Sequence, residues 1–222
     1  MLSHMGPRAK QQAADCHAAK RVMDVSLSLF ALVLFAPVHG LAAVWVRIED
    51  GGPLLFTQER SGRNGHSFCI YKLRTMHAGK VTRLGRWLRA TGLDETAQFF
   101  NVLRGDMSIV GPRPLTPQDL TRLGWDRLPQ HPRFALNPGI TGLGQIFGSR
   151  GARQVRALDA LYGRKLSPWL DLQLIALSFA MNLVGKRRVR SWLTARRVLV
   201  SSRSRHARSL SAQPALRTGV AR

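Results

Sequence analysis

From Val25 to Val46 the chain carries no formally charged residue, and the run is bracketed by Lys20, Arg21 and Asp24 before it and by Arg47, Glu49 and Asp50 after it. A straight helix of that length reaches about 33 Å, enough to cross a hydrocarbon core. Pro37 lies near its middle, where it removes a backbone donor and clashes with the preceding turn, so the pattern predicts a kink or break there. Basic residues occur on both flanks, whereas a spanning helix gathers its Lys and Arg on the cytoplasmic side. Two topologies stay open on this pattern: a re-entrant hairpin that keeps both ends on the cytoplasmic side, or a kinked single span. A cleavable signal peptide fits poorly, because the run starts late and lacks a small-x-small cleavage site. Residues 1–19 show no periodic apolar pattern and read as a mobile leader.

Beyond the apolar run, Leu54 to Arg60 and Phe68 to Thr75 are mixed apolar and polar stretches separated by Asn64-Gly65, a hairpin signal. Period-two geometry puts Ile70, Lys72 and Arg74 on one strand face and Cys69, Tyr71 and Leu73 on the other. Arg83 to Ala90 reads as a short helix with Leu84, Trp87 and Leu88 on its apolar side, interrupted by Gly92. A further helix is predicted from Leu93 to about Arg104 on the spacing of Leu93, Ala97, Phe100 and Leu103. Gly111-Pro112-Arg113-Pro114 is a stiff turn, Thr116-Pro117 is a helix entry, and Asn137 to Phe147 reads as turn and strand. Ser167-Pro168 caps a helix predicted to Val184, with Trp169, Leu170, Leu174, Ile175, Leu177, Met181 and Val184 on a broad apolar side. That helix is suited either to a core or to lying flat on a membrane. Residues 191–222 read as a basic, largely disordered tail suited to leaning on anionic lipid, the part after about Ser201 being too rich in Ser and Arg to pack.

Composition sharpens this picture. The 222 residues include 34 Lys plus Arg against 12 Asp plus Glu, a formal charge of +22, so the partner is anionic. An apolar fraction of 45% supplies enough material for a folded core. Two cysteines, Cys16 and Cys69, make neither a disulfide framework nor a zinc module. Acids are scarce, so the adjacent Asp94 and Glu95 at a predicted helix start stand out. Free N–H groups there suit phosphate oxygens, and Lys72, Arg74, Arg89 and Arg113 complete an anion cradle. A carboxylate that attacks a phosphoryl group needs such cations and commonly a hard divalent ion, which points to Mg²⁺. For an isolated Asp-Glu pair in a first helical turn, simple dipole compensation is the commoner explanation. Walker, nucleophile-elbow and zincin motifs are absent, as is any RNA-binding signature, so no nucleic-acid partner is expected.

The order of residues carries more than any one of them. Lys20-Arg21, Asp24, the apolar run with Pro37, Phe56, Gln58, Arg60, Gly62-Arg63, Tyr71 to Met76, Leu84-Gly85, Leu88-Arg89, Leu93-Asp94-Glu95, Gln98, Asn101 to Ser108, Val110 to Pro114, Pro138 to Leu143 and Asp159 to Tyr162 together resemble the bacterial monotopic phosphoglycosyl transferases. These are polyprenyl-phosphate sugar phosphotransferases, and the resemblance spans roughly residues 20 to 188. Ala36 and Gly92 stand where that family commonly carries Ser.

The resemblance implies an α+β, mainly helical fold. The expected transferase domain covers 20–190, with a re-entrant membrane hairpin over 25–46 broken at Pro37, a small β-hairpin, and a helix-rich cytoplasmic catalytic part with interfacial amphipathic helices. It implies that Asp94 attacks the sugar-bearing phosphate of a UDP-sugar, that UMP leaves, and that polyprenyl phosphate then takes the sugar phosphate. By the same resemblance Glu95 completes the acidic dyad, Mg²⁺ sits at Asp94, and Lys72, Arg74, Arg89 and Arg113 contact substrate. The expected setting is the cytoplasmic face of the bacterial inner membrane, at the start of lipid-linked glycan assembly, with oligomeric state, including a homodimer, left open. The competing readings are a catalytically inactive homologue and a basic membrane-tethered module that binds anionic lipid.

Overall fold

A computed structural model describes residues 7–49, 51–125, 127–128, 131–148 and 151–191 of the chain. The elements are α1 (Pro7–Glu49), β1 (Leu55–Ser61), β2 (Ser67–Leu73), β3 (Met76–His77), β4 (Lys80–Val81), α2 (Arg83–Thr91), α3 (Gln98–Arg104), β5 (Ser108–Val110), α4 (Pro117–Arg122), β6 (Gly139–Thr141), α5 (Leu143–Phe147), α6 (Ala152–Lys165) and α7 (Pro168–Val184). Short 3-10 turns lie at Arg63–Gly65, Leu93–Glu95 and Pro132–Ala135. Helices dominate, and the strands form two-stranded ladders: β1–β2 and β3–β4 antiparallel, β5–β6 parallel. The mainly helical α+β class therefore holds. All but Ser191 of the expected tail, and residues 1–6 of the expected leader, lie outside the described residues.

The leader reading is corrected from Pro7 onward. Pro7 opens α1, and the Ala, Lys and Gln that follow are strong helix formers, so residues 7–19 extend the apolar helix at its N-terminal side. Within α1, Lys20, Asp24, Ser28, Ala31, Ala42 and Val46 are buried at helical spacing. Leu29, Phe30, Val33, Leu34, Leu41, Val44 and Ile48 are exposed. One face is thus pressed along the body and the other is apolar and bare.

Both ends of that face are fastened. At the first end the buried Lys20 ammonium pairs with Asp171 of α7 and donates to Val110 O at 3.1 Å. Arg21 donates to Val102 O (2.6 Å) and Leu103 O (2.9 Å), satisfying carbonyls at the C-terminal end of α3. Asp24 accepts from Ser108 Oγ (2.7 Å) and from the Ile109 N–H (3.1 Å). At the other end His39 Nε2 meets Thr96 Oγ1 at 2.7 Å, and Ala42 packs with Leu73, Leu88 and Ala97. Lys20, Arg21 and Asp24, read in the sequence as polar flanks of a membrane segment, are therefore anchors inside the protein.

The break expected at Pro37 does not divide the element: α1 passes through Pro37 as one helix, and among the described residues the next element is β1. Proline forfeits a single ladder bond and its ring lies on the exposed side, while docking before and after it holds the helical path.

The β1–β2 hairpin forms as the sequence predicts, with Leu55 opposite Leu73 and Ser61 opposite Ser67. Asn64 and Gly65 take the positive φ values, 55° and 78°, that such a turn requires. Ile70 enters the main core with Val102, Met107, Val110, Ile146 and Leu174, whereas Leu73 joins the smaller cluster under α1. Arg74 lies just past the end of β2, its N–H bonded to Leu54 O.

Four further readings change. The helix expected from Leu93 to Arg104 divides into the Leu93–Glu95 turn and α3, because Gly92 (φ 76°) ends α2 and no side chain caps the next turn. The strand expected through Phe147 stops at Thr141 and becomes α5. Trp87, Trp169 and Val184, placed on apolar helix sides, are more than half exposed, at 53%, 69% and 54%, so those sides are only partly core-facing. Finally, α6 was not anticipated; its inward residues include the polar Asp159 and Tyr162, which mask a simple apolar stripe.

Candidate active site

Asp94 and Glu95 sit on a 3-10 turn held from three sides. Thr82 caps α2 by accepting from the Gly85 N–H, and α2 lies so close to the Thr75 backbone that a Cβ on Gly85 would stand 2.1 Å from Thr75 O. This approach lets Arg89 Nε donate to the buried Thr75 Oγ1 at 2.8 Å, beside the acidic turn. From β2, Lys72 reaches across to Glu95, with Nζ and Oε1 2.6 Å apart. After the turn, Thr96 Oγ1 donates to Leu93 O at 2.7 Å and so offers its lone pair to His39, which ties α1 to the same turn.

This environment separates the two acids. Glu95 is engaged by Lys72. Burial pushes the Asp94 carboxyl above the usual range, the neighbouring Glu95 charge adds to that, and Lys72, the Asp94 N–H and Arg89 work against it. The result is a half-buried carboxylate that is more basic than an ordinary aspartate and faces cations.

Arg113 projects from a loop whose carbonyls are captured in sequence. Gly139 N–H donates to Pro112 O (2.8 Å), Arg133 to Arg113 O (2.5 Å), Arg60 to Pro114 O (3.3 Å), and Ser61 N–H to Leu115 O (2.9 Å). Two prolines in this stretch offer no donors, so carbonyl capture is what fixes it. Arg133 is itself buried, stacks over the Trp125 ring at 4.6 Å and lies 3.1 Å from Asp159. Burial raises the Asp159 carboxyl to about 6, with the Arg133 charge opposing.

Lys72, Arg74, Arg89, Asp94, Glu95 and Arg113 all line one cleft of about 1510 Å³. The structure thus gathers every sequence-nominated site residue except Pro37, which lies outside it. Arg74 is turned toward the β3–β4 hairpin, its Nε bonded to Met76 O and its guanidinium 3.3 Å from His77 Nδ1. Phe35 of α1 and Phe179 and Leu183 of α7 also line the cleft, so it opens beside the bare apolar faces. Arg60 lines it too and was not nominated. The signal was available: in the β1–β2 register Phe56 faces Lys72, so alternate residues Gln58 and Arg60 share that face.

Among the described residues no group of three His, Cys, Asp or Glu side chains is placed to hold a metal. Mg²⁺ does not need one, since it is commonly held by one or two carboxylates together with substrate phosphates. Asp94, with Glu95 already paired to Lys72, fits that mode as a single hard oxygen donor.

The sequence profile of the bacterial sugar transferase family matches residues 16–186. An undecaprenyl-phosphate glucose phosphotransferase of Komagataeibacter xylinus is 38% identical over 194 residues, covering 75% of this chain and 36% of that protein. A UDP-glucose:undecaprenyl-phosphate glucose-1-phosphate transferase of Caulobacter vibrioides is 42% identical over 179 residues, 70% of this chain and 66% of its own length. A UDP-N-acetylgalactosamine-undecaprenyl-phosphate N-acetylgalactosaminephosphotransferase of Aeromonas hydrophila is 33% identical over 185 residues, 75% of this chain and 44% of that protein. The chain spans only about a third to two thirds of the length of these relatives. With a family profile covering most of the chain and an acidic turn set among cations at the centre of the match, the chain belongs to the bacterial sugar transferase family.

Proposed function

We propose that the protein transfers a sugar 1-phosphate from a UDP-sugar to undecaprenyl or a similar polyprenyl phosphate, releasing UMP and starting a lipid-linked glycan. The observation that carries this reading is the half-buried Asp94 carboxylate facing Lys72 and Arg89 in a cleft that opens beside exposed apolar helix faces. A soluble, anionic donor and a membrane-bound, anionic acceptor both reach such a place. The names of the three relatives described above, each an undecaprenyl-phosphate sugar phosphotransferase, support it.

In the first half-reaction a carboxylate oxygen of Asp94 bonds to the sugar-bearing phosphorus. The bond from that phosphorus to the bridging oxygen breaks, and UMP departs with the electron pair. In the second, an oxygen of polyprenyl phosphate bonds to the same phosphorus and the Asp94 carboxylate is regenerated. A half-buried, more basic carboxylate is the better nucleophile once ionised, and Lys72 and Arg89 offset repulsion between two anions. Glu95 keeps Lys72 beside Asp94. Bound with Asp94 and the phosphates, Mg²⁺ supplies charge neutralisation of the transferring group.

The membrane setting is the cytoplasmic face of the inner membrane, where UDP-sugars are found. One described helix is long and apolar enough to cross a bilayer. Its two ends are nevertheless bonded to one folded body, which supports a monotopic seating with both ends on one side. The exposed Trp45, Trp87 and Trp169 suit the headgroup level. The basic surface suits anionic lipid.

Detergent-solubilised protein incubated with UDP-sugars and Mg²⁺ tests the proposal. UMP release is expected, with a sugar-phosphate adduct on the intact protein before acceptor is added, and both are lost in Asp94→Asn. Full turnover in Asp94→Asn would remove Asp94 as nucleophile. Absence of UMP release from any UDP-sugar leaves the inactive-homologue or lipid-binding reading.

A further inference from the structure

Besides Arg74, Lys186 and Arg190, four cations line the cleft. Lys72 and Arg89 act on Asp94 and are already engaged, Lys72 by Glu95 and Arg89 by Thr75. Arg60 and Arg113 line the same cleft, and the Arg113 charge acts on Arg60. Among the described residues neither of these two guanidinium groups is ion-paired with a carboxylate. Arg60 is aimed by its neighbours: one terminal nitrogen donates to Gln58 Oε1 at 2.5 Å and the other to Pro114 O at 3.3 Å. Its hold on Pro114 fixes it to the loop that presents Arg113. Burial and the Arg113 charge both push the Arg60 guanidinium below its ordinary value, with Asp119 and Glu95 opposing. Two like charges near each other, Arg60 half-buried and Arg113 exposed, are stabilised by a shared anion.

We infer that Arg60 is a further substrate-binding residue and forms, with Arg113, the seat for the phosphate of the departing nucleoside monophosphate. The inference rests on the donor reading proposed above and divides that site. Lys72 and Arg89 serve the phosphorus that is transferred, and the Arg60–Arg113 pair serves the phosphate that leaves. As the bridging P–O bond breaks, the bridging oxygen keeps the electron pair and the departing phosphate gains a full negative charge. A preset pair of guanidinium groups stabilises charge that develops at that position. The pair also makes UMP a retained product, so its release is part of the turnover.

Calorimetric titration of UMP and of uridine into detergent-solubilised full-length protein tests this. Arg60→Gln is expected to weaken UMP binding about tenfold or more, the loss typical of one charge-assisted phosphate contact, while millimolar uridine binding stays unchanged. Arg60→Lys, which retains the charge without the fork, should recover part of the UMP affinity and controls for a folding defect. UMP affinity unchanged in Arg60→Gln would overturn the assignment. Equal losses for UMP and uridine would also overturn it, since Arg60 would then act only as a strut for the Arg113 loop. If the unaltered protein neither binds UMP nor releases it from any UDP-sugar, the donor reading itself fails and the seat with it. If it releases UMP while Arg60→Gln keeps full UMP affinity, only the seat fails.

Discussion

Lys20→Met places a side chain of similar length in the buried nest that fastens α1, and the consequence is calculable. Lys20 donates to Asp171 and Val110 O and lies 3.7 Å from Asp24, while Tyr162 OH is 2.7 Å from Asp171 Oδ1 and 2.9 Å from Val110 O. Asp171 is fully buried. Removing the single ammonium leaves two carboxylates facing each other, with Asp24 still satisfied by Ser108 and Ile109 but Asp171 supported by Tyr162 alone. Breaking a buried pair on one side costs about 3–5 kcal/mol. For a body of this size that corresponds to a fall of about 10 °C in melting midpoint.

The pH dependence gives the prediction its sign. Burial already raises the Asp171 carboxyl above its ordinary value, with Lys20 and the Tyr162 hydrogen bond opposing, so loss of Lys20 raises it further. A carboxyl with a higher value folded than unfolded favours the folded state most at pH below its unfolded value. That advantage is lost as pH rises through the folded value. The deficit of Lys20→Met should therefore shrink between pH 8 and pH 5, measured by intrinsic-fluorescence melting at a fixed scan rate in one detergent. Lys20→Met combined with Asp171→Leu should recover part of the loss, because the stranded carboxylate is gone. A loss below about 1 kcal/mol, or one that deepens toward acid, refutes the argument that this pair anchors the helix.

Two further outcomes follow from the acidic turn and from the doubly fastened helix. The acid limb of kcat/KM should lie above the range of an ordinary aspartate, since the ionised Asp94 is the active form, and Glu95→Gln should move it to lower pH by removing a neighbouring negative charge. A limb that stays put in Glu95→Gln would separate the profile from Asp94. In inverted and right-side-out vesicles, Ala18→Cys and Glu49→Cys should label from the same side as the exposed native Cys69; labelling from opposite sides excludes a monotopic seating.

What could be read in the sequence was what local geometry controls. Asn64-Gly65 fixed the hairpin, Ser167-Pro168 the start of α7, and the hairpin face together with Asp94-Glu95 the composition of the cleft. What could not be read depended on partners distant along the chain. Lys20 and Asp24 looked like headgroup-facing charges because their partners lie on α7 and β5, 151 and 84 residues away. Trp87 and Trp169 could be placed on apolar helix sides but not assigned to core or membrane, because aromatic side chains at helical spacing are apolar in either setting and only the packing tells which side is covered. Pro37 predicted a break from a local cost that tertiary docking on both sides of it offsets. Arg60 was missed because its meaning appears only when β1 is paired with β2 and the Pro114 carbonyl is brought to it.

On the proposed seating, α1 is fastened to one globule at Lys20–Asp24 and again at His39–Ala42, so neither fastened stretch enters the far compartment. On this seating, no translocon is required for residues 20–49: the water-side body can finish folding first, and the bare flank then settles into a single leaflet the way a keel settles into water.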